Sequence, residues 1–302
     1  PHVPGRIFKT TNYRVMEPMT ELSLRVDREQ LAADVQELRS VEPMPTSALR
    51  LVNVCQDPGV HTEEIISIIE TEPAIAARVL AVANSPLYGY SRQISTIPHA
   101  IVILGIKNIT RLAVSFAARM MYSGSENTGD FCQRLYKHSL GCALVARNLT
   151  DVHDVCDPEQ AFLGGLLHDI GKLVLVQVLQ EDYIKLTSSA AADQLVELEQ
   201  DSFGFTHEDV GEICAQQWGF PMGVRQAIAN HHLTDPKKAP CDLSSVVAAA
   251  NYLAISEGIG CEPAKLEAHP ATKSMLEDLD ENHLQLSVES AREEYEVLAN
   301  AS

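Results

Sequence analysis

An adjacent histidine and aspartate, His168-Asp169, interrupt the apolar run Ala161-Phe162-Leu163-Gly164-Gly165-Leu166-Leu167-His168-Asp169-Ile170-Gly171-Lys172-Leu173. The run otherwise has the composition of a buried helix, so any fold of this chain must bring both polar groups inside. Burying them is costly unless they are paired or bound to a metal. Asp169 can meet that demand by capping a helix, or by pairing with Lys172 or an arginine. Imidazole nitrogen beside carboxylate oxygen also suits zinc, iron, manganese or nickel. The groups that the rest of the chain brings to the pair decide between these solutions.

Helical spacing dominates elsewhere and no segment sustains strand alternation, which predicts an all-α protein. Leu31, Val35 and Leu38 mark one helix face, closed by Pro43-Met44-Pro45. Thr46 or Ser47 is placed to cap a helix carrying Leu49, Val52 and Val54. His61-Thr62-Glu63-Glu64 predicts a threonine-capped helix with Ile65, Ile66, Ile68 and Ile69 on its inner side. Pro73 opens the next, which stops at Asn84-Ser85-Pro86. Two more are predicted over 97–105 and 109–122. Residues 123–130 are polar and glycine-bearing and read as a linker. A second helical block follows to Ile259, and the acidic remainder predicts two further helices. The last of these, around Ala291–Glu296, reads as a solvated face. The expected organisation is a loose tail over 1–20, a helical subdomain over 21–123, a second over 131–259, and acidic C-terminal helices over 260–302.

Charge narrows the function classes. Lys and Arg total 23 against 41 for Asp and Glu, a net charge of −18, and no Lys/Arg cluster offsets it. Such a surface repels nucleic acid and anionic lipid, so no nucleic-acid or membrane partner is expected. Aromatic residues make up 5% of the chain, with Trp218 the single tryptophan, which gives little material for stacking bases. Seven cysteines are scattered without a C-x-x-C pair, which argues against a disulfide framework or a thiolate zinc site. No apolar stretch reaches transmembrane length, and the start Pro1-His2-Val3-Pro4-Gly5-Arg6 has no signal-peptide core. The expected setting is cytoplasmic.

Six histidines fall in the second block: His138, His153, His168, His207, His231 and His232. His138 lies on an amphipathic helix, His207 at a helix start, and His231-His232 at a helix end. His153 lies in a polar loop and reads as solvated. Each has an ordinary structural explanation on its own, such as a hydrogen-bonded rim residue for His138 or a favourable dipole contact for His231-His232. Their concentration around the apolar run of His168-Asp169 points to a shared site. Lys172, one turn beyond His168, reads either as a phosphate contact or as a snorkelling surface lysine.

The order His138, His168-Asp169, His207, His231-His232 resembles the HD superfamily of metal-dependent phosphohydrolases. Four segments of the first block narrow the match: Val41-Glu42-Pro43-Met44-Pro45, Ile69-Glu70-Thr71-Glu72-Pro73, Val82-Ala83-Asn84-Ser85-Pro86-Leu87-Tyr88-Gly89 and Ala100-Ile101-Val102-Ile103-Leu104-Gly105. With Trp218-Gly219-Phe220-Pro221 ahead of His231-His232, they resemble the hallmark segments of the HDOD family over roughly residues 29 to 255. The resemblance implies an N-terminal helical subdomain packed on an HD-type helical bundle. It also implies a regulatory module of bacterial signalling proteins that works through protein partners. Metal ligands at His138, His168, Asp169, His207, His231 and His232 are implied too, with Asp169 bridging.

Two departures bear on catalysis. Active HD enzymes complete the metal shell with a late-helix Asp, where this chain has Asn251. The Gly-Tyr-Pro signature of the related HD-GYP phosphodiesterases is replaced by Leu233-Thr234-Asp235-Pro236-Lys237-Lys238. The leading expectation is therefore a non-catalytic or weakly catalytic signalling module with an HD-like metal constellation. The alternative is a metal-dependent phosphohydrolase acting on a phosphate ester or nucleotide, with Lys172 as its catalytic cation. Either reading admits a nucleotide or phosphate ligand, and neither requires an organic cofactor. The C-terminal helices are candidates for packing or for homodimer contact.

Overall fold

The computed structural model describes residues 46–54, 61–122, 124–152, 156–190, 194–232 and 242–301. Outside them lie the expected tail, the helix face of Leu31, Val35 and Leu38 with its Pro43-Met44-Pro45 stop, Cys55, His153, Cys241 and residues 233–238. Fifteen α-helices and one 3-10 turn, and no strand, are found among the described residues.

The first five helices are α1 (Thr46–Val54), α2 (Thr62–Glu70), α3 (Pro73–Ala83), α4 (Ile97–Leu104) and α5 (Ile106–Met121), with the 3-10 turn over Pro86–Tyr88. Apolar residues at helical spacing bury one face of each: Ile65, Ile68 and Ile69 on α2, Ile75, Val79 and Val82 on α3. Two caps differ from expectation. Ser47 lies inside α1, and the N-cap of α2 is His61, which makes no side-chain cap bond, so Thr62 is already helical. Asn84 does more than stop α3. Its Nδ2 donates to the Leu80 and Ile94 carbonyls at 2.7 and 2.8 Å, and its Oδ1 accepts from Ile94 N at 2.8 Å. One amide thereby pins the following loop to the helix end. Thr96 caps α4, its side chain accepting from His99 N.

The second set begins with the 24-residue helix α6 (Gly129–Val152). It starts inside the expected linker, which is correspondingly shorter. Then come α7 (Pro158–Leu167), α8 (Ile170–Leu179), α9 (Glu181–Ser189), α10 (Leu195–Phe203), α11 (His207–Gln217), α12 (Met222–Asn230) and α13 (Asp242–Ser256), with α14 (Pro270–Glu277) and α15 (Glu281–Ala301) last. Helix α6 is the axis, packing against α7, α13 and α15, while α8 packs on α11 and α12 bridges α7, α11 and α13. The first five helices join this bundle through α5 against α6 and α7 and through α3 against α15. One hydrophobic core runs through both sets, from Leu51 to Leu298.

Two expectations are corrected here. The terminal helix is not solvated all round: Ser287, Val288, Ala291 and Leu298 of α15 are buried. Arg147 of α6 grips Glu294 through two bonds of 3.1 and 2.7 Å, and Asn148 Nδ2 donates to the Ser287 carbonyl at 2.9 Å. Secondly, Pro158–Leu179 is long and apolar enough to cross a membrane by composition alone. Most of it is buried within the bundle, and it is broken at residues 168–169 into two core helices.

Candidate metal centre

The break falls on the His-Asp pair. His168 is the C-cap of α7 and Asp169 the N-cap of α8, with φ −95° and ψ 14°. The apolar run is therefore two helices, not the single buried helix its composition suggests. Apolar continuity encodes burial and carries no signal for a turn, so this break is set by what packs around it. A glycine on each side makes that packing close. A β-carbon on Gly165 would lie 2.6 Å from the Ala143 Cα, so α7 can sit against α6 only without one. A β-carbon on Gly171 would overlap the His207 carbonyl oxygen, so α8 meets the start of α11 backbone to backbone. Together these contacts carry His138 of α6 and His207 of α11 to the His168-Asp169 turn.

His207 opens α11 behind a reciprocal capping box between Thr206 and Asp209. His231 is the C-cap of α12, and His232 follows it. All five histidines converge on Asp169, which is 1% exposed. Its Oδ1 lies 3.5 Å from His207 Nε2 and 3.4 Å from His231 Nε2. Its Oδ2 lies 3.4 Å from His168 Nε2, 3.8 Å from His138 Nε2 and 2.8 Å from Lys172 Nζ. Ligand atoms of Asp169, His207, His231 and His232 all lie within 4.8 Å of one another, as do those of His138, His168 and Asp169. The carboxylate is shared by two groups, one on each oxygen.

Outer partners fix which nitrogen faces inward. His168 Nδ1 is 2.7 Å from the Gly165 carbonyl and His231 Nδ1 is 2.9 Å from the Ile228 carbonyl. A carbonyl only accepts, so each Nδ1 carries its hydrogen and, in the neutral ring, Nε2 presents a lone pair toward Asp169. His207 Nδ1 likewise donates to Glu199 Oε2 at 2.7 Å. Glu199 is fully buried, accepts also from His207 N at 2.8 Å, and receives the Tyr183 hydroxyl at 2.5 Å. Glu208 accepts from His232 N at 3.0 Å. Such outer-shell acceptors orient ligand imidazoles and raise their basicity.

The electrostatics follow from burial and these neighbours. Burial and the adjacent His168 push the His138 imidazole down to about 3, against the pull of Asp169. Burial, with His231 and His207 alongside, pushes His232 well down. Burial would lower His168 as well, but Asp169 outweighs it and raises His168 to about 9. Burial opposes ionisation of Asp169, yet His168 and Lys172 hold its carboxyl well below the usual carboxylate range. Glu199 is held low by His207 in the same way.

A metal ion fits the donors present. His168 Nε2 and Asp169 Oδ1 are buried with no hydrogen-bond partner among the described residues, a state that is costly for polar atoms. His207 Nε2 lies 3.3 Å from His231 Nε2 and 3.1 Å from His232 Nε2. Those spacings match the ligand-to-ligand edges of a shell with metal bonds of roughly 2.0–2.2 Å. No disulfide competes for the role of cross-link: the five described cysteines are all free.

Of the sequence-nominated residues, His138, His168, Asp169, Lys172, His207, His231 and His232 meet in one cluster. Asn251, on α13, is buried, and its Oδ1 makes no hydrogen bond among the described residues. Lys172 Nζ is paired with Asp169 Oδ2 at 2.8 Å. Glu199, Tyr183 and Glu208 were not anticipated. For Glu199 a signal existed: Leu195, Glu199 and Phe203 share one face of α10 at steps of four, and all three are buried.

The HDOD domain model matches residues 41–234. The chain belongs to the HDOD family. A solved HDOD domain protein of unknown function from Geobacter sulfurreducens is 24% identical with a TM-score of 0.69, covering 91% of this chain and 98% of that one. A provisionally named signal transduction protein from Marinobacter aquaeolei VT8 has a TM-score of 0.70 at 20% identity, covering 91% of this chain and 65% of its own. A provisionally named metal-dependent phosphohydrolase from Shewanella amazonensis SB2B has a TM-score of 0.56 at 20% identity, covering 89% and 99%. These likenesses show the HDOD fold. Among curated proteins, this HDOD chain is 24% identical to an uncharacterized protein of Treponema pallidum, over 76% of this chain and 45% of that one. It is 26% identical to ribonuclease Y of Thermus thermophilus, over 82% and 36%. The chain thus spans less than half the length of these two relatives.

Proposed function

We propose that this HDOD protein is a signalling module whose HD-like half binds one or two divalent transition-metal ions, and whose first helical half meets protein partners. The observation that carries metal binding is Asp169: a buried carboxylate whose Oδ1 has no hydrogen-bond partner among the described residues and is faced by inward-turned histidine nitrogens. His207, His231 and His232 with Oδ1 would hold one ion, and His138 and His168 with Oδ2 a second. Zinc, iron, manganese and nickel suit this nitrogen and oxygen donor set. When bound, such an ion polarises a phosphoryl oxygen or lowers the pKa of its water.

Regulation rather than catalysis is favoured by two features of this chain. By the HD resemblance Asn251 takes the place of a charged ligand, and Lys172 is paired with Asp169. The first helical half shares its core with the metal-bearing half through α5 and α6, so order at the centre can be transmitted to it. The second reading, hydrolysis of a phosphate ester or nucleotide, is favoured by the sharing of Asp169 between two ligand groups, which is the arrangement two-ion phosphoryl chemistry uses. Ribonuclease activity is not carried over from the curated relative, since the net charge of −18 opposes a polyanionic substrate.

The two readings separate on Asn251→Asp. Wild-type protein loaded with manganese or zinc is expected to leave bis(p-nitrophenyl) phosphate and cyclic dinucleotides uncleaved. If only the charged ligand is missing, the variant gains phosphodiesterase activity. Metal-dependent turnover by the wild type would establish the enzymatic reading instead.

A further inference from the structure

The two ligand groups that share Asp169 are not equivalent. Oδ1 faces His207 and His231 and has no hydrogen-bond partner among the described residues. Oδ2 faces His138 and His168 but is already held by Lys172 Nζ at 2.8 Å, closer than either imidazole. A lysine ammonium is a compact cation that donates to oxygen and offers no lone pair while protonated. At Oδ2 it therefore does part of what a metal ion would do: it neutralises the carboxylate and satisfies that oxygen. Among the described residues no lysine or arginine is paired with Oδ1, beside which His207 Nε2 lies 3.3 Å from His231 Nε2 and 3.1 Å from His232 Nε2. The Lys172 side chain is 15% exposed, whereas Asp169 is sealed at 1%.

We propose that Lys172 is an internal cation that occupies the second metal position, so that the centre loads in a fixed order. This inference rests on the metal-binding reading above. The His207–His231–His232 group with Oδ1 fills first. The His138–His168 group fills only once Lys172 releases Oδ2, and so at higher metal concentration. The centre then has two distinct loaded states, one with Lys172 docked and one with it free. That gives a signalling module a graded response to metal availability.

The test is titration of the full chain with cobalt(II), followed by visible absorption and by equilibrium dialysis with elemental analysis. Wild-type protein is expected to bind the first ion roughly tenfold or more tightly than the second. In Lys172→Met the second step tightens by about tenfold, and the first moves by no more than about threefold, as expected for a charge acting mainly on its neighbouring oxygen. His138→Ala is expected to remove the weak step and keep the tight one, and His232→Ala the reverse. Far-UV circular dichroism establishes that each variant is folded, and the two histidine variants test the order without relying on the lysine change. Two equal steps in the wild type, loss of the tight step in His138→Ala, or an unchanged second step in folded Lys172→Met each overturn the proposal while leaving metal binding intact. A folded wild-type protein that binds no cobalt overturns the metal reading itself, and this inference with it.

Discussion

Asp169 is expensive to bury, and each residue around it is readable as a response to that cost. The histidines and Asp169 were legible in the sequence because ionisable side chains in apolar segments demand partners. Their mutual assignment was not, since residues 138 and 232 meet only in three dimensions. Glu199 is the clearest omission. It lies among acidic residues that look solvated, and only the burial of Leu195 and Phe203 on the same face separates it from Glu197. Its carboxylate receives His207 twice, through N and Nδ1. Glu199→Gln keeps the shape and removes the charge that orients this imidazole. The affinity of the centre for zinc, measured against a competing chelator, is expected to fall by about 10- to 100-fold. An unchanged affinity would show that His207 is positioned by the backbone alone.

Helices and their capping proline and asparagine residues were largely legible, because periodicity and stop signals are local. The α7–α8 break was not, because it depends on α6 and α11 arriving at Gly165 and Gly171. Gly171→Ala tests that dependence. The added methyl meets the His207 carbonyl, and neither backbone can yield without moving the centre. Overpacking of this kind is expected to cost about 1–3 kcal/mol in urea unfolding and to reduce metal uptake in parallel. A stable variant with normal uptake would mean that α8 and α11 tolerate separation. The terminal helix supplies a second test. Glu294→Ala leaves Arg147 largely buried without its two-pronged partner, and a loss of about 1–3 kcal/mol in thermal or urea unfolding is expected. Composition hid this contact, since an acidic helix at a chain end has the same sequence appearance whether it packs or not.

At the scale of the molecule, the all-α class and the HDOD family were legible from several motifs in the right order. How the two helical sets share one core was not. Arg111 of α5 pairs with Glu159 of α7 at 2.9 Å, and Tyr136 of α6 donates to the Ser115 carbonyl of α5 at 3.2 Å. The helix that carries His138 is thus one of those the first set packs on, which is the physical basis for reading metal binding as a signal rather than a reaction. Everything in that account depends on the centre holding an ion. The decisive measurement is elemental mass spectrometry of protein purified without chelator or affinity metal, beside a His168→Ala, Asp169→Ala variant. Near-stoichiometric iron, zinc, manganese or nickel that is lost in the folded variant is the predicted result. Folded wild-type protein that carries no metal, and takes up none when supplied with these ions, would contradict it.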